Sequence, residues 1–223
     1  MGHVKDNLTT LLKSIPAGVD LVAVSKFHPV EALQEAYDAG QRVFGESRAT
    51  ELAAKARQMP GDVKWHFIGH LQTNKVRTVL PHVDLIHSVD SEKLLRLIDS
   101  EASRLGRRVR VLMQLHVAKE ETKYGLTPHE MTSLLTPEFV SSLQSVEIAG
   151  IMGMASNTDD EERIREDFRA IRTVFDRLAD TTFAGAEGFS IVSMGMSHDW
   201  TIAVGEGANM IRVGTTIFGE REY

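Results

Sequence analysis

The chain has 223 residues, 42% of them hydrophobic, which is enough to bury one sizeable core and leaves no room for a second large domain. A formal net charge of -6 argues against a nucleic-acid-binding surface, because phosphate backbones are bound by clustered excess cations. The absence of cysteine excludes disulfides, thiolate metal sites and a thiol nucleophile.

In chain order, Val4, Leu8, Leu11, Leu12 and Ile15 come first, spaced for a helix that covers one end or flank of the domain. Eight strand-like apolar runs follow, at 21–25, 42–45, 64–69, 84–88, 108–117, 146–154, 190–196 and 210–218. Stretches of helical period separate them, among them 29–39, with Pro29 in its first turn, and 159–178. The latter repeats Ile164, Phe168, Ile171, Val174, Phe175 and Leu178 at intervals of three or four, with capping residues at Thr158, Asp159 and Asp160. Alternation of this kind predicts βα units around a parallel sheet, and eight units suffice to close a (β/α)8 TIM barrel, α/β in class and one domain over 1–223. No run near the N-terminus is long enough for a signal-peptide core or a membrane span, so a cytoplasmic protein without membrane contact is the expectation.

In such a barrel functional groups belong at the C-terminal ends of the strands, with phosphate sites in the loops after strands 7 and 8. Lys26 closes the run Leu21-Val22-Ala23-Val24-Ser25. An amine there, near low-dielectric walls, can condense with an aldehyde, although a solvated rim lysine is the bland alternative. Ser197, after Met194-Gly195-Met196, has a hydroxyl suited to an anion, or else Ser197 or Asp199 is a plain helix cap. Arg212-Val213-Gly214-Thr215 adds a fixed cation and a Gly-Thr pair within the eighth run, and Arg212 could equally form a buried ion pair. An aldehyde carrying a phosphate fits these groups, and pyridoxal 5'-phosphate (PLP) is such a molecule. His66 and His70 would diverge on a strand followed by a turn and have no third ligand, while His82, His87 and His116 form no ligand pattern, so no metal is expected.

The same residues carry a resemblance. Ala23-Val24-Ser25-Lys26, Phe44-Gly45-Glu46, Trp65-His66-Phe67-Ile68-Gly69 with Leu71-Gln72 and Asn74-Lys75, Ile86-His87-Ser88-Val89-Asp90, Lys123-Tyr124-Gly125, Ser193-Met194-Gly195-Met196-Ser197 with Asp199, and Ile211-Arg212-Val213-Gly214 with Ile217-Phe218-Gly219 occur in this order. Over nearly its whole length the chain resembles the YggS/PROSC-type PLP homeostasis proteins. The resemblance implies a barrel similar to the N-terminal domain of alanine racemase, with PLP joined to Lys26 as a Schiff base. It further implies that Ser197, Gly214 and Thr215 hold the phosphate and that Arg212 faces the pyridine nitrogen. Lys123 matches a position where the family has a second suggested contact with PLP. Two positions depart from the pattern: Ser47 stands where the family commonly has Asn, and Phe27-His28-Pro29 replaces a frequent Thr-Lys-Pro, so a second nearby amine is missing.

Members of this family are regarded as carriers or regulators of PLP supply that affect amino-acid and keto-acid balance. A monomer that passes PLP to PLP-dependent apoenzymes, and is not itself an enzyme, is the expectation. Arg212 stays protonated, so a pyridine nitrogen facing it is kept unprotonated and the ring is a weak electron sink. Racemisation would also need an acid/base tyrosine, and Tyr37, Tyr124 and Tyr223 are not placed by any motif that supplies one. The alternatives are a fold-type III PLP enzyme, an amino-acid racemase or decarboxylase, and a barrel that binds a sugar phosphate.

Overall fold

The computed structural model describes residues 3–118 and 124–220. Helix α1 (His3–Ser14) precedes the first unit, β1 (Asp20–Val24) and α2 (Val30–Asp38). The next are β2 (Val43–Glu46) with α3 (Ala49–Ala56), β3 (Lys64–Phe67) with α4 (Val76–Val79), and β4 (Leu85–Val89) with α5 (Glu92–Arg104). Then come β5 (Val109–Leu115) with α6 (Pro128–Leu134) and α7 (Pro137–Ser141), and β6 (Val146–Gly153) with α8 (Glu161–Asp180). The last units are β7 (Ile191–Ser193) with α9 (Trp200–Gly205), and β8 (Met210–Val213) with α10 (Thr215–Phe218). All neighbouring strands are parallel, and β1 pairs with both β2 and β8, so the sheet closes in the order β1 to β8 as the apolar runs predict.

The closed wall separates two sets of side chains. Outward residues such as Phe44, Trp65, Phe67, Ile86 and Val111 pack beneath the helices, whose apolar stripes they complete. Inward residues Val22, Leu85, Leu112, Met152, Ile191 and Met210 fill the barrel floor. Because side chains alternate along a strand, the position two residues further on faces inward again. On four strands that position is polar and buried: His87 follows Leu85, Gln114 follows Leu112, Ser193 follows Ile191, and Arg212 follows Met210. An apolar layer thus carries a polar layer nearer the C-terminal ends of the strands.

Four expectations need correction. The eighth strand ends at Val213 rather than reaching 218: the amides of Ile217 and Phe218 turn back to the Gly214 carbonyl, which makes α10 out of residues whose apolarity suits a strand. Gly214 and Thr215 therefore lie beyond the strand. The first strand ends at Val24, because Phe27 adopts φ 67° and turns the chain out of the sheet, so Lys26 sits in a turn rather than at the strand's last position. In α1, Leu8 and Leu11 are buried but Leu12 is 43% exposed and lies off the packed face. Pro29 caps α2 instead of occupying its first turn, and Asp160 caps α8 by accepting from the amides of Glu162 and Arg163. Among the described residues no helix is long and apolar enough to cross a membrane.

Candidate cofactor site

Lys26, Ser197, Arg212, Gly214 and Thr215 all line one cavity of ≈ 270 Å³. It opens beyond the C-terminal ends of the strands, and residues from β1, β3, β6, β7 and β8 or the turns after them close it. Val24, Ile68, Met154 and Met196 supply apolar wall, and His28 and His198 supply polar rim. His28 stands where the resemblance would place a second lysine, and its ring stacks on Phe218 at 5.0 Å between centroids.

The turns after β7 and β8 are tied together. Gly195, at φ 94°, packs so closely that a Cβ would lie 2.7 Å from the Ala203 Cβ and 2.9 Å from the Trp200 Cα, so only glycine fits. Its carbonyl accepts from the Arg212 amide at 3.0 Å. The buried Asp199 carboxylate accepts from the Met196 amide at 2.5 Å, and the Ser197 hydroxyl accepts from the Gly214 amide at 3.3 Å. Asp199 is therefore a clamp within its own turn; it precedes α9 without capping that helix through its side chain.

Arg212 is 5% exposed, and among the described residues no carboxylate lies within ion-pair range of it, so the buried ion pair considered for it is absent. Its guanidinium donates to Ser193 Oγ at 2.7 Å and to the Gly153 carbonyl at 3.1 Å. Ser193 Oγ lies 3.1 Å from His87 Nδ1, and His87 Nε2 lies 3.0 Å from His66 Nδ1. The contact from β4 to β7 joins strands that are not neighbours, so it crosses the barrel interior. Arginine can only donate, and in one arrangement that pairs these groups Ser193 donates to His87 and His87 donates to His66. Burial keeps both rings neutral, pushing His66 down to about 3 with help from Arg110 and Lys64, and His87 well below its ordinary value. Burial also lowers Arg212 to about 10, against the opposing field of Asp199, which leaves the guanidinium charged at neutral pH.

On the other flank, Lys55 of α3 is buried against the wall at β1 and β2. Its Nζ donates to Glu46 Oε1 at 2.8 Å, Glu51 Oε1 at 2.7 Å and the Ser25 carbonyl at 2.7 Å, which uses all three ammonium protons. Glu46 Oε2 is buried without a hydrogen-bond partner among the described residues, and burial raises the Glu46 carboxyl to about 7 against the opposing effects of Lys55 and Ser25. Sequence reasoning used Glu46 only as part of a motif and missed Lys55. An inward or wall-facing polar residue two positions from an apolar one was the signal that could have found Glu46, His87 and Ser193.

His66 and His70 do diverge: His66 is inside the barrel, while His70 is on the rim, 3.1 Å from Asp90 and stacked on Tyr124. Tyr37 donates to Asp62 on the outer surface. Among the described residues no cluster of His, Cys, Asp or Glu could hold a metal ion. Lys123 and Tyr223 lie outside the described residues.

Barrel and cavity together define a fold shared with alanine racemase. The chain matches the family of the alanine racemase N-terminal domain over residues 1–222, and alanine racemase from E. faecalis superimposes with a TM-score of 0.74 over 98% of this chain and 58% of its own, at 19% identity, a likeness of fold alone. Within that class the chain belongs to the pyridoxal phosphate homeostasis proteins: it is 39% identical to the one from Vibrio alginolyticus, with 93% of this chain and 89% of that protein covered. The counterpart from Aquifex aeolicus is 37% identical over 91% and 87%. PipY of Synechococcus elongatus, solved with PLP bound, is 40% identical with a TM-score of 0.88, covering 97% of this chain and all of the PipY chain; solved without PLP, its TM-score is 0.91.

Proposed function

We propose that this protein binds pyridoxal 5'-phosphate and takes part in PLP homeostasis, with the chain 1–223 acting as one PLP-binding barrel domain. The observation that carries the reading is Arg212, a buried guanidinium with no carboxylate partner among the described residues, opening onto the same cavity as Lys26. A buried cation is costly unless an anion or a set of acceptors compensates it, and the phosphate and phenolate of PLP are anionic. The residues fit the group: a half-buried lysine for the aldehyde, hydroxyl and amide donors at Ser197, Gly214 and Thr215 for the phosphate, and Arg212 toward the pyridine nitrogen. The names of the homologues and the PLP bound to PipY support the same reading.

When bound, the cofactor supplies an electrophilic aldehyde that a lysine amine can hold as an imine. Lys26 provides that amine. Ser197, tied to the Gly214 amide, keeps the two turns at a fixed spacing around the anion. Arg212, held as a donor by Ser193 and Gly153, keeps a pyridine nitrogen unprotonated, and this damps carbanion chemistry. The protein is therefore a holder and regulator of PLP, not an enzyme that uses it; it acts as a monomer in the cytoplasm and passes PLP to PLP-dependent apoenzymes.

Absorbance of the purified protein in the imine band, followed by borohydride reduction and mass spectrometry, tests the assignment. The expected label is on Lys26, with the band lost in Lys26→Ala. An unchanged spectrum and PLP content in that variant would sink the role of Lys26, and amino-acid turnover abolished by the same substitution would replace the holder with an enzyme.

A further inference from the structure

We propose that Lys55 is a positioning residue for Lys26, holding the chain on both sides of it so that the Lys26 amine is presented to the cavity. The proposal rests on the reading that Lys26 carries the cofactor. β1 ends at Val24; the Ser25 amide donates to the Gly45 carbonyl of the neighbouring strand at 3.0 Å, and the Ser25 carbonyl accepts from the His28 amide at 3.1 Å, which closes the turn that carries Lys26.

Beyond that point the ion cluster takes over. Ser25 is fixed by its carbonyl, which accepts from Lys55 Nζ, and by its hydroxyl, which donates to Glu46 Oε1 at 2.6 Å. Phe27 is fixed by its amide, which donates to Glu51 Oε1 at 2.7 Å, the same oxygen that accepts from Lys55. Lys26 is thus bracketed by two residues tied to a single ammonium and its carboxylates.

The bracket also holds an unfavourable backbone. Phe27 at φ 67° is in the left-handed region, which is unfavourable for a residue with a Cβ and persists only where surrounding contacts enforce it. The Glu51 bond to the Phe27 amide supplies such a contact, and the Arg48 guanidinium lies over the Phe27 ring at 4.4 Å from its centroid. Every proton of a buried ammonium needs an acceptor, and Glu46 and Glu51 take two of them. Here the third proton goes to the residue preceding Lys26.

The experiment separates presentation of the amine from integrity of the pocket. Pyridoxine 5'-phosphate lacks the aldehyde, so its binding reads the phosphate and ring contacts alone, whereas imine formation with PLP also needs Lys26 in place. In Lys55→Met the rate of imine formation is expected to fall by about tenfold or more, a misplacement effect, with pyridoxine 5'-phosphate affinity within about twofold of the parent. Lys55→Arg, which keeps a cationic donor, should recover part of the rate. Glu51→Gln, which retains the ammonium and weakens the tie to Phe27, gives the same split in smaller measure and serves if Lys55→Met does not fold. Equal losses of imine formation and analogue binding, or an unchanged rate in both variants, overturn the proposal. Borohydride labelling of the parent distinguishes the two levels: a label on Lys26 with unchanged rates overturns only the role of Lys55, and a label elsewhere overturns both.

Discussion

Two cations are buried near the C-terminal ends of the strands, and they are compensated in opposite ways. Lys55, beside β1 and β2, faces two carboxylates and a carbonyl, and all three of its protons are used within the protein. Arg212, in β8, faces a hydroxyl and a carbonyl, and the chain it heads ends on two neutral histidines. In the first arrangement the cation is fully compensated by direct contacts, although Glu46 Oε2 beside it has no hydrogen-bond partner among the described residues. The second supplies acceptors and only the more distant field of Asp199, with no carboxylate within ion-pair range among the described residues, and it borders the cavity. The cation that serves the fold is paired by carboxylates in contact with it, whereas the one that awaits a ligand is not.

The contrast breaks most sharply under removal of each charge. Lys55→Met leaves Glu46 and Glu51 without their cation and should cost about 3–5 kcal/mol of stability, read by urea unfolding of the ligand-free protein. The equivalent change at Arg212 removes a charge that no carboxylate among the described residues contacts, only the field of Asp199 favouring it, and Arg212→Met should alter ligand-free stability far less. Equal losses would show that Arg212 is as well compensated as Lys55.

Acid and base bring out the next difference. The Glu46 carboxyl is raised to about 7 in the fold from an ordinary 4.5, so between those values the native state holds a proton that the unfolded chain has released. Its contribution to stability is complete below pH 4.5 and is lost as pH rises through about 7, by on the order of 3 kcal/mol. His66 runs the other way. Lowered to about 3 from 6.5, it stays neutral in the fold while the unfolded ring takes up a proton, so stability falls as pH drops from 6.5 toward 3. Stability curves across pH 4 to 8 should lose their falling slope in Glu46→Gln, and a slope unchanged in that variant would remove Glu46 from the account.

Ligand affinity gives the third comparison. A hydrogen bond to a charged group is worth about 1.5–3 kcal/mol, so Arg212→Met should weaken pyridoxine 5'-phosphate by roughly 10- to 100-fold in equilibrium dialysis. Lys55→Met should barely change it.

How much of this was open to a reader of the sequence depends on whether the relevant period was local. Eight apolar runs and the spacing of Ile164, Phe168 and Ile171 are local patterns, and they place the barrel correctly. The five cavity residues also follow from position, since Lys26, Ser197, Gly214 and Thr215 fall after a strand and Arg212 falls near the C-terminal end of β8. What eluded the sequence depends on closure. His87 meets Ser193 only because β4 and β7 face each other across the interior, and Lys55 meets Ser25 only because α3 lies against the end of β1. Phe27 is the clearest local failure: a bulky residue after a strand run gives no sign of positive φ, and the contacts that enforce it come from α3 and its N-terminal flank. Ile217 and Phe218 mislead for a related reason, their apolarity being used to cover the barrel end beside α1 rather than to extend β8.

Ser193 offers the smallest effect and the finest test of the open side. Its hydroxyl accepts from Arg212 and is hydrogen-bonded to His87 Nδ1, so Ser193→Ala leaves one donor of the guanidinium and one ring nitrogen without their partner. The expected cost is about 1 kcal/mol of ligand-free stability, a typical hydrogen-bond value, because Arg212 keeps its bond to the Gly153 carbonyl. Combining it with Arg212→Met separates the chain from the charge. If Ser193 acts through Arg212, the double variant should lose less than the sum of the two single losses, since the shared bond can be removed only once. Additive losses in the unfolding measurement would mean that Ser193 serves the His66–His87 pair alone, and the open electrostatics of this flank would then rest on Arg212 without a relay behind it.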